Sequence, residues 1–421
     1  MLKERLAKLK MDGPYAFMLL VYLGFLLFAF ISEPPTGVLR GFINIVTSPS
    51  ILTTDYIEIG GVGATLLNAA IAGLASLITL IFLGIKPNGA IIMALWLTTG
   101  FAFFGKNVFN MLPLTFGVWL FSKYNKEPFV DYSLAALLVA TVSPTVSEIS
   151  FLGIFSRPVE MLLGVLIGFF IGFIFPAMSA STVRIHGGYD LYNMGFAGGL
   201  ICTVFFAIMK NAGINIKTAE YISAGNNVVL ASGLYLISGA LICYGIFNGG
   251  IKEKFKNLII IQKRSGRLVS DFYYEHGNSV FINMGILCIF STTLTLALGA
   301  ELNGPVIAGI FTIVGFGAFG KHLKNITPIM MGAIFAVLFS RGDMGAPESI
   351  IVILFSTGLA PIAGKYGVIW GVTAGFLHFN IASHTAYLSG GMNLYSNGFA
   401  AGFVAMFLLP MITIFKKDVH Q

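Results

Sequence analysis

Residues 88–117 read NGAIIMALWLTTGFAFFGKNVFNMLPLTFG, and residues 303–332 read NGPVIAGIFTIVGFGAFGKHLKNITPIMMG. Aligned without a gap, 11 of 30 positions are identical, including Asn88/Asn303, Gly105-Lys106/Gly320-Lys321, Asn110/Asn325 and Pro113/Pro328. A second pair, 164–199 and 367–402, carries HGGYDLYNMGFAGG opposite SGGMNLYSNGFAAG and shares 14 of 36 positions, again without a gap. The chain is written twice. Two related halves in a strongly apolar chain are the signature of a transporter or channel.

Composition names the solvent. Hydrophobic residues make up 56% of the 421 and charged residues 10%, with a mean hydropathy of +0.86. A soluble chain of this size carries about 25% charge. There is too little polar surface here to face water, so the helices face lipid. Fifty glycines suit close helix–helix approach in a membrane. The net charge of +7 sits mostly in loops, where it sets topology, and does not point to nucleic acid. The N-terminal MLKERLAKLK is basic, and the apolar run at 14–33 lacks a small-residue cleavage pattern, so it is expected to be an anchor. Cys202, Cys243 and Cys288 lie scattered in apolar runs and are expected to be free, buried thiols.

Fourteen apolar segments follow one another, seven in each half, and several are only 16 residues long. About 20 residues are needed to span, so 89–104, 107–122 and their counterparts are candidates for re-entrant helices. An offset of 215 aligns Asn68 with Asn283 and Asn88 with Asn303; the later block aligns at 203. The first half therefore carries a dozen extra residues within 120–160. The organisation expected is a basic cytoplasmic N-terminus at 1–13, a first membrane repeat at 14–211 and a loop at 212–224. A second repeat follows at 225–415, then a tail at 416–421. Lys252, Lys254, Lys256, Lys263, Arg264 and Arg267 place the polar loop 249–278 in the cytoplasm, as the basic termini are placed. Counting from a cytoplasmic N-terminus, 14–33 runs outward and its counterpart 225–248 runs inward, so the repeat is inverted. The fold expected is all-α, with two inverted repeats of about ten transmembrane helices plus two re-entrant hairpins; fourteen spans is the alternative.

Several residues could carry chemistry. Lys106 and Lys321, followed by Asn107 and His322, each end a GF-x-x-FGK turn. If the short pairs re-enter, both lysines meet near the midplane and form an anion site with the helix ends; otherwise they snorkel at the surfaces. Tyr192 and Tyr395, with Asn193 and Asn397, open helices after Gly-Gly turns and either line a polar cavity or anchor at an interface. The glycines of that motif, at i and i+4, suit packing of the two related helices on each other. His378, Asn380, Ser383 and His384 are gains of the second half, where solute or proton handling could be installed; His384 is otherwise a helix end. Ser143-Pro144-Thr145 with Ser147 and Glu148 reads as a broken helix holding a cation, or as a kink with a surface acid. Asn68 and Asn283 lie in apolar spans, where a buried amide needs a partner.

What is missing narrows the function. There is no Walker A motif, no HExxH, no paired intramembrane aspartates and no Arg-rich sensor helix, and His378 and His384 are six apart. An enzyme is not expected, nor a cofactor, a metal site or a nucleic-acid partner.

The HGGYDLYNMGFAGG and SGGMNLYSNGFAAG stretches resemble the hallmark of a bacterial family of multi-pass membrane proteins of unknown function. That resemblance implies a prokaryotic inner-membrane protein and no substrate. In architecture alone, the plan resembles inverted-repeat carriers of the urea-transporter type. The function expected is transport of a small polar or anionic solute at the interface of the repeats, in a protein compatible with homo-oligomers. The site expected comprises Lys106, Lys321, Asn107, His322, Tyr192, Tyr395, Asn397, His378 and Glu148. An uncoupled channel for an ion or small solute is the first alternative. An intramembrane enzyme or sensor using the His378/His384 region is the second.

Overall fold

The computed structural model describes residues 11–49, 53–214, 220–247, 250–394 and 396–415. Tyr395, the basic residues of 1–10 and Lys416-Lys417 lie outside the described residues. Among the described residues the fold is helical apart from one short parallel pairing of β1 (Thr53–Thr54) with β2 (Glu220–Tyr221) and a single antiparallel bridge between Asp55 and Phe104.

In the first half the helices are α1 (Gly13–Ser32), α2 (Pro35–Thr47), α3 (Tyr56–Phe82), α4 (Gly89–Phe101) and α5 (Val108–Tyr124). A broken segment follows, made of α6 (Ser133–Leu138), a 3₁₀ turn at Val139–Val142 and α7 (Pro144–Ser150). Then come α8 (Arg157–His186) and α9 (Asn193–Asn211). In the second half they are α10 (Asn227–Phe247), α11 (Ile251–Ile261), α12 (Phe272–His276), α13 (Ser279–Ala297), α14 (Gly304–Phe316) and α15 (Leu323–Phe339). Its broken segment is α16 (Pro347–Phe355), a 3₁₀ turn at Ser356–Leu359 and α17 (Ala360–Tyr366), followed by α18 (Val368–Thr385) and α19 (Ser396–Phe415). Among the described residues, eight stretches are long and apolar enough to cross a membrane, and the segment 129–150, bent by 48°, makes a ninth if it counts as one span. Leu20, Leu27, Leu162, Leu166, Phe170 and Leu236 are exposed on these helices, as lipid-facing side chains are.

Local chemistry sets the ends. Asn88 and Asn303 accept the N–H groups of Ile91 and Val306 at 2.9 and 3.1 Å, capping α4 and α14. Pro144, Pro347 and Pro361 open the pieces of the broken segments, where a missing N–H costs nothing. Gly187 and Gly390 end the helices before them in the left-handed conformation. The two halves differ between α7 and α8, joined by 151–156, and between α17 and α18, joined at Gly367 alone.

The centre is the antiparallel pair α4–α14. A Cβ on Gly100 would meet Ala308 and Phe311, and one on Gly315 would meet Met93 and Trp96. Trp96 and Phe311 pack edge to face at 5.1 Å. Gly89 lies against Ala318, and Gly304 against Phe103. Each of these contacts has its counterpart at the offset of 215. With lipid outside, such close packing supplies the attraction that water would otherwise enforce. The short helices pack mainly on other elements: α4 on α14, α5 on α8 and α15 on α18. Flanking these, α9 and α19 cross, with a Cβ on Gly199 meeting Phe399 and one on Gly402 meeting Phe196. Cys202 and Cys288 are buried, but Cys243 is exposed on α10, correcting the expectation for that thiol.

Candidate functional site

Each short helix pair turns at a polar tip, 102–107 in the first half and 317–322 in the second. A buried asparagine holds each tip. Asn68 on α3 donates to the carbonyls of Ala102 and Lys106 at 2.8 and 2.9 Å. Asn283 on α13 donates to Gly317 and Lys321 at 2.9 and 2.8 Å. Asn110 and Asn325 add bonds to the carbonyls of Gly105 and Gly320, both at 2.9 Å. These carbonyls are freed by the turn and have no water to meet, so the amides replace it. At Gly105, φ is +71° and a Cβ would lie 2.3 Å from Leu394, so the first tip admits only glycine there.

The lysines do not share a site. Because α4 and α14 are antiparallel and 13 residues long, the two tips lie at opposite ends of the pair, about 20 Å apart. Lys106 is 2% exposed and donates to Thr98 at 3.1 Å. Lys321 is 0% exposed and donates to Thr357 at 2.8 Å and to the Tyr192 hydroxyl. Its ammonium lies 4.4 Å from the centre of the Tyr192 ring and 4.9 Å from that of Phe316. Neither lysine forms an ion pair among the described residues. The expectation of two cations converging at the midplane is therefore replaced by two separate clusters. Neither lysine snorkels, since both are buried.

The Lys321 cluster also holds an acid that sequence reasoning missed. Asp190 is fully buried, accepts the Tyr192 N–H at 2.8 Å, leaves its other oxygen without a partner, and attracts Lys321. At the offset of 203 its counterpart is Asn393, which donates to Gly195 at 3.1 Å. The acid thus belongs to the Lys321 cluster alone. The signal was present in YDLYN opposite MNLYS, as an exchange rather than an identity. His186 was missed in the same way. The His186 Nδ1 accepts the Asp190 N–H at 3.2 Å, so Nε2 carries the proton and donates to Asn193 at 2.9 Å. Asn193 also accepts from Thr182 at 2.8 Å.

The remaining candidates scatter. Asn107 and His322 begin α5 and α15. Asn107 reaches Tyr56 at 3.2 Å, and His322 bonds the Arg264 carbonyl at 2.8 Å, fastening each tip to neighbouring structure. His378 is buried and pairs with Asn397 at 3.2 Å, whereas His384 is exposed; the two histidines do not converge. Glu148 is 2% exposed, which removes the reading of a surface acid. Its neighbours on α7 reach other elements: Ser147 accepts from Asn110 at 2.9 Å, and Thr145 donates to the Met392 carbonyl at 3.3 Å.

The two broken segments are stitched to the opposite half. Leu394 N–H donates to the Thr141 carbonyl and Leu191 N–H to that of Gly358, both at 2.9 Å. A cavity of about 630 Å³ lies at the first-tip end, with Phe104, Phe355, Asn393, Leu394, Ser396 and Asn397 in its walls and Lys210, Glu220 and Glu348 nearer its edge. At the second-tip end the corresponding turn is covered. Tyr189 and Tyr366 stack at 5.4 Å and share a hydroxyl bond of 3.0 Å. Arg267 lies 4.7 Å over Tyr189 and donates to the Gly187 carbonyl at 2.7 Å.

Long apolar helices, two discontinuous segments and buried polar tips define a multi-pass, all-α membrane protein. Within that class, the chain belongs to the family described as protein of unknown function (DUF1576), whose model matches residues 34–211 and 251–414. Neither a curated protein nor a solved structure matches the chain.

Proposed function

We propose that this protein carries a small anionic or polar solute across the membrane by alternating access, between two inverted repeats with both termini in the cytoplasm. The observation that carries this reading is the difference between the two ends, a cavity at one turn and a stacked cover over its counterpart. The cavity reaches the first tip at Phe104 and the turn beside it at Asn393 and Leu394, while Tyr189, Tyr366 and Arg267 cover the corresponding turn in the other half. A pore open from both ends would lack such a cover, which favours a carrier over a channel. The reciprocal contacts of α4 with α14 and of α9 with α19 support the inverted repeat. The 13-residue length of α4 and α14, too short to cross, supports about ten spans with the short pairs entering and returning. Anion preference rests on Lys106, a buried lysine two residues from Phe104 of the cavity wall, and on Asn393 in that wall, where the other half holds Asp190.

The test is thermal stability of the purified protein against small carboxylates, phosphate, sulfate and halides, compared with Lys106→Gln. A bound anion at one hundred times its Kd stabilises by about 2.7 kcal/mol. At least one anion should stabilise the parent and lose its effect in the variant. If every anion leaves both unchanged, or acts equally on both, the anion reading fails.

A further inference from the structure

We propose that Glu148 is a proton-binding site whose loading is coupled to opening of the cavity, an inference that rests on the carrier reading above and adds its driving ion. Glu148 is 2% exposed, and neither carboxyl oxygen has a hydrogen-bond partner among the described residues. The Ser150 hydroxyl, two residues on, is buried and unpartnered as well. No cation pairs with Glu148 among the described residues. A carboxylate removed from water needs donors or a counter-charge, and this conformation supplies neither. A bound proton meets that need with a single atom. A metal ion would require about six oxygens around it, and the nearby hydroxyls of Thr145 and Ser147 are already engaged.

The ionisable groups on the packed elements leave this picture intact. On α8, Arg157 lies over the Phe151 ring at 4.5 Å, and Glu160 accepts the N–H groups of Ile154 and Phe155. On α9, the buried thiol of Cys202 shares the field of Glu148. On α5, Lys123 and Tyr124 stand at the far end of the helix. The 3₁₀ turn at Val139–Val142 has none. In the second half, α17 (APIAGKY) has no acid, so the scaffold holds this site once.

The link to the cavity runs through α7 itself. Ser147 accepts from Asn110, which also donates to the Gly105 carbonyl at the first tip. Thr145 donates to the carbonyl of Met392, the residue before Asn393 of the cavity wall. For Glu148 to release its proton, it must reach water or a donor, and α7 must move. Moving α7 pulls on the tip and on the cavity wall together. The proton comes from water and returns to water; no other bond forms or breaks. Since the conformation with the open cavity is the one that seals Glu148 from donors, acid favours the open cavity.

The experiment uses the full chain with Cys243→Ser, which removes the exposed thiol, and Ser396→Cys as a reporter in the cavity wall. A membrane-impermeant maleimide labels it in liposomes across about pH 5 to 8. One coupled proton shifts the open population by up to about tenfold per pH unit. Because the thiolate is the reacting form, each rate is divided by that of the same thiol in the unfolded protein at that pH. The corrected rate should rise as pH falls, and Glu148→Gln should keep the high, acid value throughout. A flat profile in the parent, or an unchanged profile in Glu148→Gln, overturns the proposal. If Glu148→Gln does not fold, Glu148→Asp decides: its profile must be displaced along the pH axis, and an unmoved profile overturns the proposal equally. Failure here leaves anion stabilisation through Lys106 untouched, so the two readings fail on different measurements.

Discussion

At the residue scale, the buried amides hold the site's geometry. Replacing Asn68 by Leu keeps the size and removes both bonds to the tip, leaving the carbonyls of Ala102 and Lys106 without these donors. Two unsatisfied buried groups cost about 2–5 kcal/mol. Asn283→Leu should cost a similar amount, since its bonds match within 0.1 Å. Paired thermal melts in detergent check this; a large loss at one position and none at the other would show that the tips are not equivalent. Asn68, Asn283, Lys106 and Lys321 were legible because a repeat makes identities stand out. Asp190 and His186 were not, because the same comparison hides what differs: each faces a smaller or uncharged residue, Asn393 and Ser389. Glu148 was legible as a residue of interest. Its burial was not, because a proline and three hydroxyls fit a surface kink as well as an interior break.

At the scale of elements, sequence gave the glycine positions of α9 and α19 but not how far they matter. A Cβ on Gly199 would lie 2.5 Å from the Phe399 ring, and one on Gly402 would lie 2.4 Å from Phe196. Even Gly199→Ala therefore forces the crossing apart, at a cost of about 1–3 kcal/mol. Truncating the facing ring makes room, so Phe399→Ala should recover part of the loss when combined with Gly199→Ala. A double-mutant cycle on thermal stability measures that coupling; additive losses would place the helices in another register. The directions of the short helices were the least legible part. Their length of 13 residues excludes a full crossing, but spacing cannot say whether a tip meets its counterpart or lies at the far end of it. The antiparallel packing of α4 on α14 settled that in space, and with it separated the two lysines.

At the scale of the whole molecule, the two ends differ although the helices match. Leu191 and Leu394 make equivalent backbone bonds to the opposite half, yet one turn borders a cavity and the other lies under Tyr189, Tyr366 and Arg267. If the halves exchange roles, Met194 should become exposed when Asn397 is covered, because the two align at the offset of 203. Met194 is now half-buried. Tyr366→Ala removes one ring of the stack and the hydroxyl bond, weakening the cover by about 1–2 kcal/mol. That is roughly a five- to thirtyfold shift toward the opposite opening. In that background Met194→Cys should gain labelling from the face of the 249–278 loop, and Ser396→Cys should lose labelling from the other face by a comparable factor. The reciprocity is the decisive part. A gain at 194 with no loss at 396 would mean that the ends open independently, and the protein would then be a channel with a gate at one end rather than a carrier.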